Sequence, residues 1–253
     1  LPGDTYANRL PDPVLQQVEH FNNPNVTAND AFKPVTRYFD RITRPEQIIQ
    51  SFPNAVQTML DPADCGPACI SLSQDIQGQI FDYPEDFFKE KIHLIRRPRP
   101  DEFQIKEAAE KIKSSKKPIL ISGGGVFYSD AMDALSKFAI KHNIPVAQTV
   151  MGYSTMKRDH SHYAGQIGGL GGKNTNTLAK QTDLAIAVGT KLADFTTGSW
   201  ANFENNDFKL VSINVSRFDA NKHLAQAVVG DARASLDELS AVLGEWKAPD
   251  EWN

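Results

Sequence analysis

The sequence predicts an α/β protein. Its main part, residues 101–245, is predicted to form a doubly wound parallel sheet of the Rossmann type, preceded by a partial α/β domain. Short apolar runs without polar alternation recur along the chain, which is typical of strands buried on both faces of a parallel sheet. Segments with helical spacing of apolar residues separate these runs. Glycine-rich stretches follow several runs, as they do in the strand-to-helix turns of open α/β sheets.

The first 80 residues predict two strands and one helix. The runs "FKPVTRYFDRIT" and "ACISLSQD" are strand-like, and the segment between them has helical spacing. Thr43 and Glu46 have the spacing of a capping box, and Pro53 is expected to kink or interrupt the helix that follows. The apolar residues predicted to share one face of this helix are Ile48, Ile49, Phe52, Val56 and Met59.

Composition divides the chain into four parts. Residues 1–80 form one block, and residues 81–100 mix prolines with charges, which predicts an interdomain connector. Residues 101–245 form the regular α/β block, and residues 246–253 a short tail.

The block 101–245 alternates strands and helices. Its predicted strands are "PILIS", "IPVAQTV", "DLAIAV", "KLVSIN" and "QAVVG". The first helix has Ile105, Ala108, Ala109 and Ile112 on one face. The second is predicted to be capped by Ser129 and to bury Met132, Leu135 and Ala139. The last is predicted to be capped by Asp231, with Leu236, Leu239 and Leu243 inward.

The net charge and the length of the apolar runs argue against nucleic acid and membrane as partners. The formal net charge is −4 and the sequence pI is about 5.9, so a nucleic-acid partner is not indicated. The longest apolar runs fall short of the roughly 20 residues that a membrane helix needs. We therefore expect a soluble protein that contacts neither nucleic acid nor membrane.

The cysteines and histidines predict no metal site. Cys65 and Cys69 are the only cysteines, which favours free thiols in a cytoplasmic protein. His160 and His162 are two residues apart without a third ligand nearby, so they are interpreted as solvated or turn-forming histidines. No serine elbow, HExxH motif or P-loop is present, and no catalytic residue is predicted.

The glycines at the predicted strand ends form the candidate binding site. Gly123, Gly124 and Gly125 follow "PILIS", Gly189 follows "DLAIAV", and Asn214 ends "KLVSIN". Carboxyl ends of parallel strands meet at one edge of a sheet, where backbone N–H groups can face a phosphate. However, "SGGGVF" lacks the G-x-G-x-x-G spacing, and Asn214 stands where a ribose-binding site usually has an acid. The residues leave two interpretations open, a nucleotide crevice or glycines that only permit tight turns, and they favour the second.

The order of motifs resembles a known family. "FKPVTRYFDRITRPEQIIQSFPNAVQTMLDPADCGPACISLSQD", "KKPILISGGGV", "DHSHYAGQIGGLGG", "DLAIAVGTKLADFTTGSW" and "INVSRFDANKHLAQAVVGDA" are similar, in sequence and order, to thiamine-diphosphate enzymes of the acetolactate synthase type. The resemblance implies that residues 1–80 are the C-terminal part of a pyrimidine-binding domain and that 101–245 are the central domain. It also implies thiamine diphosphate and magnesium at sites outside this chain, because neither the "GDG" motif nor the family's early glutamate is present.

The resemblance also implies an activity. Within the family, the sequence is most similar to a cytoplasmic enzyme of myo-inositol catabolism that opens a cyclic dione by hydrolysing a carbon–carbon bond. This fragment would be structural and inactive alone, and the full protein a homo-oligomer. Some relatives bind FAD or ADP in the central domain, at strand ends that correspond to Gly123–Gly125, Gly189 and Asn214. The alternatives are a nucleotide-binding (FAD, ADP or NAD) domain of another member such as acetolactate synthase, or a separate oxidoreductase or deacylase.

Overall fold

The computed structural model describes residues 1–8 and 22–252, and the chain divides into two compact units. The first is Leu1–Arg96 and the second is Arg97–Asn253. The division falls inside the predicted connector, 81–100.

The first unit is built on a three-stranded parallel sheet. Strands β1 (Gly3–Asp4), β2 (Tyr38–Ile42) and β3 (Ala68–Ser73) lie in the order β1-β3-β2. Helix α1 (Ile48–Leu60) packs on the sheet through a small core of Ile42, Ala55 and Ile70, and α2 (Gln74–Gln77) follows β3. The predicted strand "ACISLSQD" is thus confirmed as the central strand, although its last residues begin α2.

Three predicted features of this unit are corrected. The first half of "FKPVTRYFDRIT" is not a strand but the end of a 3₁₀ helix, Ala28–Val35, whose start is capped by Thr27. The helix α1 runs through Pro53 without interruption, and its buried face is Ser51 and Ala55. Of the apolar residues predicted to share one face, Ile48 packs against this core, whereas Phe52 and Met59 are each 46% exposed.

The start of α1 also differs from the prediction. Gln47, not Glu46, reaches back along the chain: its Oε1 accepts hydrogen bonds from the Thr43 N–H at 2.7 Å and the Arg44 N–H at 3.1 Å. A short 3₁₀ turn, Pro45–Gln47, precedes α1 and moves the reach-back position one residue along the chain.

A buried ionic cluster holds β1 in the sheet. The Asp4 Oδ2 accepts hydrogen bonds from the Ser71 hydroxyl at 2.6 Å, the Arg41 Nε at 2.8 Å and the Thr27 hydroxyl at 3.0 Å. Burial raises the pKa of Asp4, but these donors outweigh it and the net pKa is lowered. Arg41 also contacts Asp30 at 3.0 Å; hydrogen bonds from Lys33, Thr27 and Arg41 overcome the effect of burial and lower the pKa of Asp30 to about 2. None of these residues was predicted from the sequence.

The second unit contains a six-stranded parallel sheet. In chain order its strands are β4 (Pro118–Ser122), β5 (Val146–Gln148), β6 (Tyr163–Gln166), β7 (Leu184–Val188), β8 (Lys209–Asn214) and β9 (Gln226–Val229). Their spatial order is β6-β5-β4-β7-β8-β9. The chain winds outward from β4 to one side and then from β7 to the other, which confirms the predicted doubly wound parallel sheet.

Helices and loops cover both faces of this sheet. The helices are α3 (Glu102–Ser114), α4 (Gly125–Tyr128), α5 (Met132–His142), α6 (Lys173–Gln181), α7 (Asp194–Thr197), α8 (Arg217–Ala220) and α9 (Ala232–Leu243). Alternate residues of β4 point to opposite sides, so Leu120 joins the core formed with α3, α5 and α9, while Ile119 and Ile121 join the core beside α6. Trp200 packs against the second core.

The helix start predicted at Ser129 is wrong. The helix α5 begins at Met132 after Ala131, and Ser129 instead accepts a hydrogen bond from the Ala232 N–H at 3.2 Å through its hydroxyl oxygen. Met132 is 38% exposed, whereas Leu135 and Ala139 are buried as predicted. Asp231 caps α9 as predicted, by accepting from the Ala234 N–H at 3.1 Å.

The tail after α9 packs back onto α5 and β4. The ring of His142 is buried, with Nδ1 at 2.8 Å from the Trp246 carbonyl oxygen and Nε2 at 3.0 Å from the Ser240 hydroxyl. Because a carbonyl only accepts, Nδ1 carries the proton. Burial lowers the pKa of His142. The Trp252 indole N–H donates to the Pro118 carbonyl at 2.7 Å.

None of the helices in the described ranges is long and apolar enough to cross a membrane.

Candidate cofactor-binding edge

The predicted site residues lie at the point where the winding of the second unit reverses. Gly123–Gly125 follow β4 and Gly189 follows β7, and these two strands are neighbours at the centre of the sheet. Asn214 ends β8, the next strand. Open α/β sheets bind ligands at such a switch point, outside the carboxyl ends of the strands. The structure therefore brings the five residues together at one edge.

The glycines of the two central loops are in backbone contact. The Gly123 N–H donates to the Val188 carbonyl and the Gly125 N–H to the Gly189 carbonyl, each at 2.9 Å. A Cβ added to Gly123 would lie 2.4 Å from the Gly189 oxygen, and one added to Gly125 would lie 2.6 Å from the Gly189 Cα. Gly189 has φ +60°, a conformation that favours glycine. Close packing of the loops is thus a sufficient reason for these glycines.

A third loop packs against the same point. A Cβ on Gly152 would lie 2.1 Å from the Ser122 carbonyl oxygen, and one on Gly124 would lie 3.3 Å from the Met151 carbonyl oxygen. Gly152 was not predicted as a site residue, because it stands alone in the sequence "VMGY" and has no neighbouring glycine to draw attention to it.

Asn214 uses both ends of its amide within the chain. Its Nδ2 donates to the Thr190 carbonyl at 3.3 Å, and its Oδ1 accepts from the Ser216 N–H at 2.9 Å. The side chain therefore ties the loop after β7 to the turn after β8. A carboxylate could not donate to Thr190, which gives a physical reason for asparagine where a ribose-binding acid would otherwise stand.

Polar side chains at the ends of β4 and β5 form a buried network with Thr155 that was also not predicted. The Ser122 and Thr155 hydroxyls are 2.7 Å apart, and the Gln148 Nε2 donates to the Met156 carbonyl at 2.9 Å. A signal is present in the sequence, because the apolar strands β4 and β5 both end in a polar residue. The network fixes the loop after β5 beneath the glycine turns.

The glycine cluster after β6 contacts the segment after β7. The Gly169 N–H donates to the Phe195 carbonyl at 2.8 Å, and a Cβ on Gly168 would lie 2.0 Å from that same oxygen. The glycine loop after β6 is thus joined to the segment after β7.

The candidate histidines precede β6, at its amino end, and both cysteines belong to the first unit. The His160 Nε2 is 2.9 Å from the Ser136 hydroxyl, and the His162 Nε2 is 3.2 Å from the Asn143 Oδ1. Burial, with His160 nearby, lowers the pKa of His162. Cys65 and Cys69 are both free thiols, as predicted, and burial raises the pKa of Cys69.

The buried acids at the strand ends do not fit a magnesium–diphosphate site. Asp4 is occupied by Arg41, Ser71 and Thr27, and Asp231 by the α9 cap and by Arg97 at 3.1 Å. Within residues 1–8 and 22–252, no group of three or more His, Cys, Asp or Glu side chains is arranged to hold a metal ion.

A parallel sheet with strand order β6-β5-β4-β7-β8-β9 and glycine loops at its switch point places the second unit in the class of doubly wound α/β folds. A family profile described as "Thiamine pyrophosphate enzyme, central domain" matches residues 105–239. The chain therefore belongs to the thiamine pyrophosphate enzymes.

Relatives with high identity carry one name. A protein of Clostridium perfringens named 3D-(3,5/4)-trihydroxycyclohexane-1,2-dione hydrolase is 47% identical over 243 residues, which cover 96% of this chain and 38% of that protein. A Geobacillus thermodenitrificans protein of the same name is 46% identical over 246 residues, covering 97% and 38%. The chain thus spans less than half the length of these relatives.

The solved structures agree on the fold. Benzoylformate decarboxylase from Polynucleobacter necessarius superposes with a TM-score of 0.70 at 21% identity, over 92% of this chain and 46% of that one.

Proposed function

We propose that these 253 residues are part of a thiamine-diphosphate-dependent hydrolase that opens the ring of trihydroxycyclohexane-1,2-dione. The observation that carries the proposal is the 47% identity over 96% of the chain to a relative of that name. The cofactor would supply the electron sink for carbon–carbon bond cleavage. Because the described residues contain no cluster of His, Cys, Asp or Glu side chains arranged to hold a metal ion, we place thiamine diphosphate and magnesium elsewhere in the polypeptide.

The role of this chain in that enzyme is structural. The polar groups at the candidate edge are engaged with one another, as the Asn214 amide and the Ser122–Thr155 pair illustrate. We assign no catalytic residue to the chain. The full protein is proposed to be a cytoplasmic homo-oligomer; two free thiols support the compartment, and exposed apolar side chains of the first unit support association.

The test compares the full-length protein with residues 1–253. The full-length protein should hydrolyse the dione only with thiamine diphosphate and magnesium. Calorimetry should detect no binding of the cofactor, with magnesium, to residues 1–253 alone. A full-length protein without dione hydrolysis would refute the function, and a micromolar dissociation constant for the 253 residues would refute the structural role.

A second candidate function is nucleotide binding at Gly123, Gly124, Gly125, Gly189 and Asn214. It is favoured by their convergence at the switch point. The contact between Gly125 and Gly189 and the occupied Asn214 amide favour weak affinity or none. A ligand at a hundredfold its dissociation constant stabilises the native state by about 2.7 kcal/mol. We therefore expect no rise in melting temperature with ADP, FAD or NAD; a rise of several degrees would establish the site.

A further inference from the structure

Exposed apolar side chains of the second unit concentrate at the carboxyl edge of its sheet. Seven large apolar side chains in the described part of this unit are about two-thirds exposed or more, and five of them lie in the loops and short helices that directly follow strand ends. These five, which we call the apolar rim, are Tyr128 at 87%, Met151 at 75%, Leu170 at 66%, Phe195 at 65% and Phe218 at 77%. The other two are Phe103 and Leu224. Isolated exposed apolar residues are common, but five on one edge are not.

Contacts connect neighbouring segments of the rim. A Cβ on Gly124 would lie within 4 Å of both Met151 and Tyr128. The Gly169 N–H donates to the Phe195 carbonyl, which joins the loops that carry Leu170 and Phe195. Lys191, in the loop after β7, lies 3.8 Å from Asp219, the neighbour of Phe218.

The loops of the rim also hold strained backbone. Asp130, Ser154 and Leu192 have positive φ values of 51°, 68° and 49°, and each lies in a loop that follows β4, β5 or β7. Such conformations cost free energy and persist where the surrounding structure enforces them, which is common at functional surfaces.

The size of the rim matches a polypeptide surface. Together, five large side chains exposed to this degree present on the order of 600 Å² of apolar area, which is near the roughly 800 Å² that each partner buries in a standard interface. The gap between the two central loops is filled by the contact of Gly125 with Gly189, so the centre of the rim offers little depth for a small ligand.

We propose that the apolar rim is a docking surface covered by the part of the same full-length polypeptide that lies outside residues 1–253. The relatives at 47% and 46% identity are matched over 38% of their length, so most of such a polypeptide is available to cover it. The inference rests on the proposal that this chain is part of a longer enzyme, and it deepens that proposal by naming the surface through which the parts join.

The test measures thiol labelling at the rim in two chains. Met151→Cys and Phe218→Cys are each made in a Cys65→Ser background, both in residues 1–253 and in the full-length polypeptide, and labelling is followed by mass spectrometry of the peptide concerned. Ile140→Cys, on the outer face of α5 and 55% exposed, is the control. We expect labelling at the two rim positions to be about tenfold slower in the full-length polypeptide, with the control unchanged.

Four results would overturn the proposal. Equal labelling of the rim in both chains, or equal protection of Ile140→Cys, would show that the rim is not specifically covered. Protection in residues 1–253 that grows with protein concentration would assign the rim to a second copy of the chain. Protection of residues 1–253 by ADP or FAD would assign it to a nucleotide. The readout is independent of catalysis, so a protected but inactive full-length polypeptide would refute the proposed function alone.

Discussion

At the scale of single residues, the glycines at the switch point have a role that requires no ligand. Gly189 combines a positive φ with backbone contact to Gly125, so any side chain there is both strained and obstructed. If these glycines serve packing alone, replacing one of them should destabilise the protein even when no nucleotide is present.

Gly189→Ala should lower the free energy of unfolding by about 2 kcal/mol or more without added ligand, because the new Cβ would meet the Gly125 Cα. Gly78→Ala is the control, since no atom lies within 4 Å of its added Cβ and its φ is negative; we expect a change within about 0.5 kcal/mol. Urea unfolding measures both. A fully stable Gly189→Ala protein would remove the packing explanation.

His142 makes the second unit sensitive to acid. Its folded pKa is lowered by burial, so below the ordinary value near 6.5 the unfolded chain binds a proton that the folded chain does not. Stability from this residue is complete above that value and is lost as pH falls toward the folded pKa. The urea concentration at the midpoint of unfolding, followed by tryptophan emission, should be lower at pH 5.5 than at pH 7.5. The His142→Gln substitution should reduce this difference, whereas substitution of the exposed His93 should not. An unchanged pH dependence in His142→Gln would contradict the assignment.

At the scale of elements, the sequence predicted the strands better than the helix ends. The five predicted strands of the second unit all exist because unbroken apolar runs have few alternatives to a doubly covered sheet. Helix starts depend on which donor a side chain meets: Asp231 meets the Ala234 N–H, but Ser129 faces Ala232, a residue more than one hundred positions away. The face of α1 was misjudged for a related reason, since spacing shows which residues align but not which side packs.

The candidate edge was predicted in part. Parallel strands place their carboxyl ends together, so the sequence alone was enough to assign Gly123, Gly189 and Asn214 to one edge. The direct contact between two glycine loops could not be predicted, because it depends on which strands are neighbours. The Asp4–Arg41 cluster could not be predicted either, because it joins residues 37 positions apart and no local sequence pattern marks it.

The cap of α9 provides a prediction at this scale. Asp231→Ala should cost about 1 to 2 kcal/mol, because it leaves the Ala234 N–H without its acceptor and removes the contact with Arg97. Asp133→Ala, in the exposed first turn of α5, should change the unfolding free energy by less than about 0.5 kcal/mol. Comparable losses in both variants would show that the effect is one of charge and not of the cap.

At the scale of the whole molecule, the two units differ in how completely their apolar residues are covered. The second unit has a core on each face of its sheet, whereas the described core of the first unit is small. Phe52 and Met59 on α1 are half-exposed, and β2 lies at an edge of its sheet, where it can accept another strand.

We therefore expect residues 1–253 to form a dimer or larger assembly through the first unit. A chain that begins at Arg97 should be a monomer, because it lacks the exposed face of α1 and the edge strand β2 through which we expect association. Light scattering on both chains measures this. A monomeric longer chain, or association of the shorter chain alone, would contradict the expectation.

The positions of the tryptophans give the chain a built-in optical label. All three, Trp200, Trp246 and Trp252, belong to the second unit, so selectively excited tryptophan emission does not report directly on the first. Far-ultraviolet circular dichroism, in contrast, reports on the helices of both. If the units unfold separately, the emission should change in a single step while the ellipticity changes in two, and the step missing from the emission belongs to residues 1–96. Coincident curves would show that the two units unfold as one cooperative block.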